Sequence, residues 1–216
     1  TVAYIAQINA LKKKYEGQIE ILLGVEQDLY SQVYPPAFDY RIGSVHYLHH
    51  NGEYLPVDES EEGFVRLVKQ HFGGDYYFCC RKYYEQVAAL EDAIQPDFFA
   101  HLDLVTKFNK GNRFFDEEDK RYQMPALEAL LTLLAAKKPF ELNVGVVYQG
   151  MRSRPYPGPF LLQRIQQYGG SLILTSDAHD TRSLCYRFDE ACALLRCFGF
   201  SEVATLRKEG IRYEKL

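Results

Sequence analysis

The 216-residue chain has no tryptophan, no excess of basic residues and no long apolar run. Lys and Arg total 25 against 29 Asp and Glu, a net charge of -4, so nucleic acid is not an expected partner. No apolar stretch approaches the roughly 20 residues that cross a bilayer, so no membrane association is expected. No signal peptide is read at the start, which falls inside an expected helix. No GxGxxG or GxxxxGK(S/T) motif follows a strand, which argues against a doubly wound nucleotide fold. The five cysteines, Cys79, Cys80, Cys185, Cys192 and Cys197, are odd in number and lack a zinc-type spacing. They are read as free thiols in a reducing, cytoplasmic setting. The missing tryptophan, beside 17 Tyr and 14 Phe, carries no functional reading. No internal repeat is visible, and the length suits one domain over 1–216.

What is present is organised around residues 171–179. Leu172 to Leu174 reads as a strand covered on both faces, ending in a turn that carries Asp177 and His179. Two apart on an extended backbone, they would point the same way, as two ligands of one metal would. An Asp N-cap beside a surface His would give the same tetrad.

Helices are expected over 2–15, 61–72, 75–93, 116–137, 160–168 and 182–198, from apolar spacing and from breaks at Gly17, Pro35-Pro36, Gly73-Gly74, Pro96 and Gly169-Gly170. Pro125 is placed in the first turn of its helix, with Leu127, Leu130, Leu131 and Leu134 on the buried side. Strands are expected over 19–29, 38–48, 97–105, 139–145 and 172–174. Residues 144–158 read as a long loop, and 200–216 as a short tail. The alternation indicates a parallel α/β fold. Each strand end carries a polar residue of the metal-binding kind: Glu26, His46, His101, Glu141 with Asn143, then Asp177 with His179. Imidazole with carboxylate suits Zn, Mn or Fe. A lone His on an apolar strand, such as His101 after Phe98-Phe99-Ala100, is usually a satisfied core histidine; the other strand ends shift that balance. His49 and His50 read as solvated loop residues, and His71 lies on a helix.

The segments GVEQD, IGSVHYL, FAHLDLVTKFN, FELN and ILTSDAHD, in this order, resemble the histidinol-phosphate phosphatases of the PHP (polymerase and histidinol phosphatase) superfamily. The resemblance spans nearly the whole chain. It implies a distorted (β/α)7 TIM-like barrel with two or three divalent metal ions at its C-terminal rim. It also implies hydrolysis of histidinol phosphate, a small phosphorylated substrate, in histidine biosynthesis. By motif, Glu26, His46, His101, Asp177 and His179 would be metal ligands. Asp177, His179 or a metal-bound water would deliver a proton to the leaving group, and Asn143 would face the substrate. Arg154, or else Arg152, would bind phosphate, with Lys107 and Arg41 as weaker candidates. The chain lacks the family's His-x-His before Glu26, so its first strands are expected to be absent and the barrel N-terminally incomplete. A phosphoesterase acting on nucleotides and a non-catalytic scaffold are the alternatives. Oligomeric state is not read from the sequence.

Overall fold

The computed structural model describes residues 2–31 and 38–216; the expected break at Pro35-Pro36 lies outside the described residues. In chain order the elements are α1 (Val2–Lys14), β1 (Gly24–Asp28), β2 (Tyr40–Ser44), β3 (Tyr47–His50), β4 (Glu53–Pro56), α2 (Glu61–His71), α3 (Tyr76–Val87), α4 (Leu90–Ile94) and β5 (Phe98–Phe99). They continue with a 3-10 turn at Leu104–Thr106, α5 (Lys120–Leu134), β6 (Phe140–Asn143), α6 (Gly145–Tyr148), α7 (Pro159–Gln167), β7 (Leu172–Thr175), α8 (Phe188–Cys197), β8 (Glu202–Arg207) and β9 (Gly210–Lys215).

Among the described residues, seven strands form one sheet in the order β1-β2-β5-β6-β7-β8-β9. Every pairing is parallel except β8 with β9. Strand periodicity gives the sheet two unlike faces. Phe99, Phe140, Leu142 and Leu172 are completely buried in the helix-covered core. Phe98, Ile173 and Ala204 form a separate, smaller cluster with Tyr40, Ile42 and Leu206 on the opposite face. Toward the strand C-termini that second face turns polar, through Glu26, Glu141, Asn143 and Thr175. Parallel α/β architectures place their chemistry at this end.

The helices are fixed by local chemistry. Ser60, Asp75 and Asp119 cap α2, α3 and α5, accepting hydrogen bonds from the N–H groups of Gly63, Phe78 and Arg121. Helices α3 and α5 pack together, and the buried Tyr84 hydroxyl donates to that of Tyr122 at 2.8 Å. Gly17, at φ +76°, turns the chain after α1. Helix α1 itself has no fully buried residue, and Val2 is 84% exposed, so its apolar spacing does not become a core face.

Several expectations are corrected. The strand expected over 38–48 splits after Ser44, and its second half forms a hairpin with β4. Asn51 and Gly52, both at positive φ, make that turn. His49 and His50 therefore sit in a strand, stacked on Tyr54 and Phe72. The strand expected over 97–105 shortens to Phe98–Phe99, because the chain turns from His101 onward. The helix expected over 75–93 is two, α3 and α4, and the one over 182–198 begins only at Phe188. The Asp119 cap starts α5 ahead of Pro125, which lies inside the helix. Leu131 is exposed and Leu133 buried, so the buried stripe is rotated from the expected one. The loop over 144–158 includes α6, and the supposed tail is the β8–β9 hairpin. Among the described residues, no helix is long and apolar enough to cross a membrane.

Candidate metal centre

Three strands deliver the centre. Glu26 lies near the end of β1, His46 follows β2, and His101 follows β5. One donor atom from each lies within 4.8 Å of the others. His101 Nε2 is 3.0 Å from Glu26 Oε1, and His46 Nε2 is 3.4 Å from the same oxygen. The two imidazoles meet edge to face with centroids 4.9 Å apart. Glu26 stands at the mouth with its side chain 38% exposed, whereas His101 is buried.

Neighbouring carboxylates anchor both residues, His46 through backbone and ring and His101 through its backbone N–H. Asp28 Oδ2 accepts the His46 backbone N–H at 2.6 Å and lies 3.6 Å from His46 Nδ1, which turns Nε2 toward Glu26. Asp28 is the residue that sequence reasoning left without a role; its spacing of two from Glu26 on one strand face was the available signal. Glu141 accepts the His101 backbone N–H at 2.7 Å and the Thr175 hydroxyl at 2.6 Å, tying β5, β6 and β7 together.

The electrostatics follow from this crowding. Burial alone would raise the Glu26 carboxyl, but the hydrogen bond from His101 and the charges of His101 and His46 outweigh it and hold it at about 2. Burial alone would depress His101, yet Glu26, Glu141 and Asp177 together push it up to about 9. Burial raises the Glu141 carboxyl. Asp28 is held below the ordinary carboxylate range, burial being outweighed by hydrogen bonds from His46 and Tyr30.

These residues fit a divalent cation. Two imidazole nitrogens and a carboxylate oxygen are a donor set that zinc accepts. Donors about 2.0–2.1 Å from a tetrahedral ion stand about 3.3 Å from one another. The observed separations of 3.0 and 3.4 Å are close to that. A surplus of carboxylate large enough to hold a buried imidazole protonated also favours a bound cation.

Asp177 and His179 line the same cavity, of about 280 Å³, as Glu26, His46 and His101, but stand outside the three-residue cluster. His179 Nε2 is 3.3 Å from Asp177 Oδ1, and its side chain is largely exposed. Asp177 adopts φ +44°, so the two side chains do not meet through an extended backbone as expected. Asn143 is a cross-link. Its Nδ2 donates to Glu141 and Asp177 at 3.2 Å each, and its Oδ1 accepts the Gly145 N–H at 2.8 Å.

Of the phosphate candidates, Lys107 lines the cavity. Its ammonium donates to the Asp58 carbonyl at 2.9 Å and lies 3.3 Å from the Asp58 carboxylate. Arg152 and Arg154 are not brought into this cavity. Each donates to Glu117 Oε2 at 3.2 Å, Arg152 buried and Arg154 partly exposed. Arg41 lies in β2 and is likewise absent from the cavity lining.

Fold and site together define an α/β protein with a candidate metal centre at the carboxyl ends of its parallel strands. Within that class the chain is similar in sequence and in fold to histidinol phosphatases. The histidinol-phosphatase of Bacillus subtilis (strain 168) is 28% identical over 206 residues, covering 86% of this chain and 73% of that protein. The structure of HisK from Listeria monocytogenes, itself assigned as a histidinol phosphatase by inference, superposes with a TM-score of 0.71 at 19% identity, over 88% of this chain and 75% of that one. The histidinol phosphate phosphatase of Lactococcus lactis subsp. lactis Il1403, complexed with Zn, L-histidinol and phosphate, gives a TM-score of 0.63 at 20% identity, over 97% and 78%. No family model matches the chain. The chain has the fold of the PHP-type histidinol phosphatases.

Proposed function

We propose that this protein is a metal-dependent phosphomonoester hydrolase that converts L-histidinol phosphate and water to L-histidinol and phosphate in histidine biosynthesis. One observation carries the reading. Glu26, His46 and His101 converge from three strands on one point of a polar cavity, in a chain 28% identical to a histidinol-phosphatase. Glu26, His46 and His101 would hold a divalent cation, with Asp177 and His179 completing a set of two or three Zn, Mn or Fe ions. Such ions, when bound, supply Lewis acidity and an ionised nucleophilic water near neutral pH.

The chain's own residues do the rest. Lys107 offsets the charge of the phosphate group from the cavity wall. Asp177 holds the imidazole of His179, and one of the two delivers the proton needed by the departing alcohol oxygen. Asp28 and Glu141 fix His46 and His101, so little reorganisation accompanies the reaction. Arg152 and Arg154 act at one remove, anchoring the loop over 149–158 through Glu117. The chain works as a single domain in the cytoplasm, where its five thiols stay reduced.

The test is phosphate release from L-histidinol phosphate by protein supplied with zinc or manganese. Release that stops on chelation is expected. No release at full metal occupancy would overturn the assignment, and release from nucleotides alone would move it to a different substrate class.

A further inference from the structure

Tyr156 is only 2% exposed, and its hydroxyl has no hydrogen-bond partner among the described residues. Its backbone N–H donates to the Asn143 carbonyl at 3.1 Å, and its carbonyl accepts the Asn143 N–H at 2.8 Å, which stitches the loop to β6. The Arg152 guanidinium lies 5.3 Å from the ring centroid, and the His101 ring meets it edge-on at 6.2 Å. The ring is thus held by backbone and neighbours alike, yet its one polar atom is unused. Tyr156 lines the same cavity of about 280 Å³ as Glu26, His46, His101 and Lys107. Native proteins rarely leave a buried hydroxyl unpaired, and those that remain usually have a ligand or water to serve.

We propose that the Tyr156 hydroxyl touches the substrate, donating a hydrogen bond to a phosphoryl oxygen of the monoester bound in this cavity. The inference rests on the phosphatase reading above and adds a substrate-contacting residue to it. The chemistry of the lining favours the phosphoryl end. Glu26, Asp58 and Asp177 offer only acceptor oxygens when ionised, and an anionic phosphate also presents only acceptors. It therefore needs donors. The Lys107 ammonium has three N–H groups, of which the Asp58 carbonyl and carboxylate engage two. The third N–H and the Tyr156 O–H are donors that this wall can turn toward a phosphate.

Tyr156→Phe removes the hydroxyl while keeping the ring, its stacking on Arg152 and its backbone pairing. Zinc-loaded wild type and variant would be titrated calorimetrically with inorganic phosphate, and histidinol phosphate turnover, zinc content and melting temperature would be measured in parallel. The expected result is about a tenfold loss of phosphate affinity, the worth of one hydrogen bond. Turnover should fall by a similar factor or more, at unchanged zinc content and melting temperature. Equal phosphate affinity and equal turnover would overturn the proposal, as would a variant that loses zinc or melts early, because the hydroxyl would then be structural. If wild type fails to turn over histidinol phosphate while the variant still loses phosphate affinity, the substrate reading falls and the hydroxyl contact stands.

Discussion

The two ends of the polar rim are built differently. At one end Glu26, His46 and His101 lie together, the backbones of His46 and His101 anchored by Asp28 and Glu141, with Glu26 held low and His101 pushed up in pKa. At the other, Asp177 sits at positive φ and His179 stands mostly in solvent. The first end has the rigidity of a preformed ligand set; the second is held chiefly by Asn143. Under the proposed function the first end would hold a cation, and the second would add ligands and the proton donor.

The sharpest way to break this contrast is His101→Ala. It removes the most buried member of the cluster, and metal content and phosphatase activity should be lost together. Activity surviving at full metal occupancy would remove His101 from its role. The next test leaves the first end alone. A Cβ on Gly145 would lie 2.9 Å from the Ser176 carbonyl oxygen and 3.0 Å from Asp177 Cβ. Gly145→Ala should displace Asp177 and lower turnover about a hundredfold, the scale of a misplacement near 1 Å. Zinc should remain at Glu26, His46 and His101, and its loss in this variant would show that the two ends are one unit.

Proton competition sharpens the comparison further. His101 is protonated below about pH 9, while Glu26 is ionised above about 2, so zinc entering the first end must displace one proton from His101. Affinity should rise about tenfold per pH unit between pH 7 and 9 and level off above. A flat profile, read by competition with a chromogenic chelator, would mean that the first ion enters elsewhere. The smallest effect belongs to Asp28→Asn. Weakening the partner of His46 should cost about tenfold in zinc affinity, at the low end for residues that orient metal ligands. An unchanged affinity would assign Asp28 only to the turn at Tyr30, whose N–H it accepts.

The residues of the rim were legible in the sequence because each sits at the end of an apolar strand, where a carboxylate or imidazole has no packing role. Their grouping was not. Glu26, His46 and His101 meet over 75 residues of chain, and only the strand order β1-β2-β5 makes them neighbours. The β8–β9 hairpin was missed although residues 202–207 and 210–215 pair across a Lys208-Glu209 turn. Arg212, Glu214 and Lys215 break up β9, and Glu202 and Arg207 leave β8 only four uncharged residues, which weakens the apolar signal. Arg152 and Arg154 look alike in the sequence; Glu117, 35 and 37 residues away, decides where both point.

The sequence by itself determined the parallel α/β character, the strand ends that carry chemistry and the resemblance to histidinol phosphatases, because periodicity and short motifs are local properties of the chain. The tertiary structure decided which candidate ligands share a point, that Asp28 and Glu141 anchor their backbones, that Lys107 rather than the arginines lines the cavity, and that Tyr156 lines it too. Each of these depends on the distance between residues far apart in the chain, and that distance exists only once the sheet has formed.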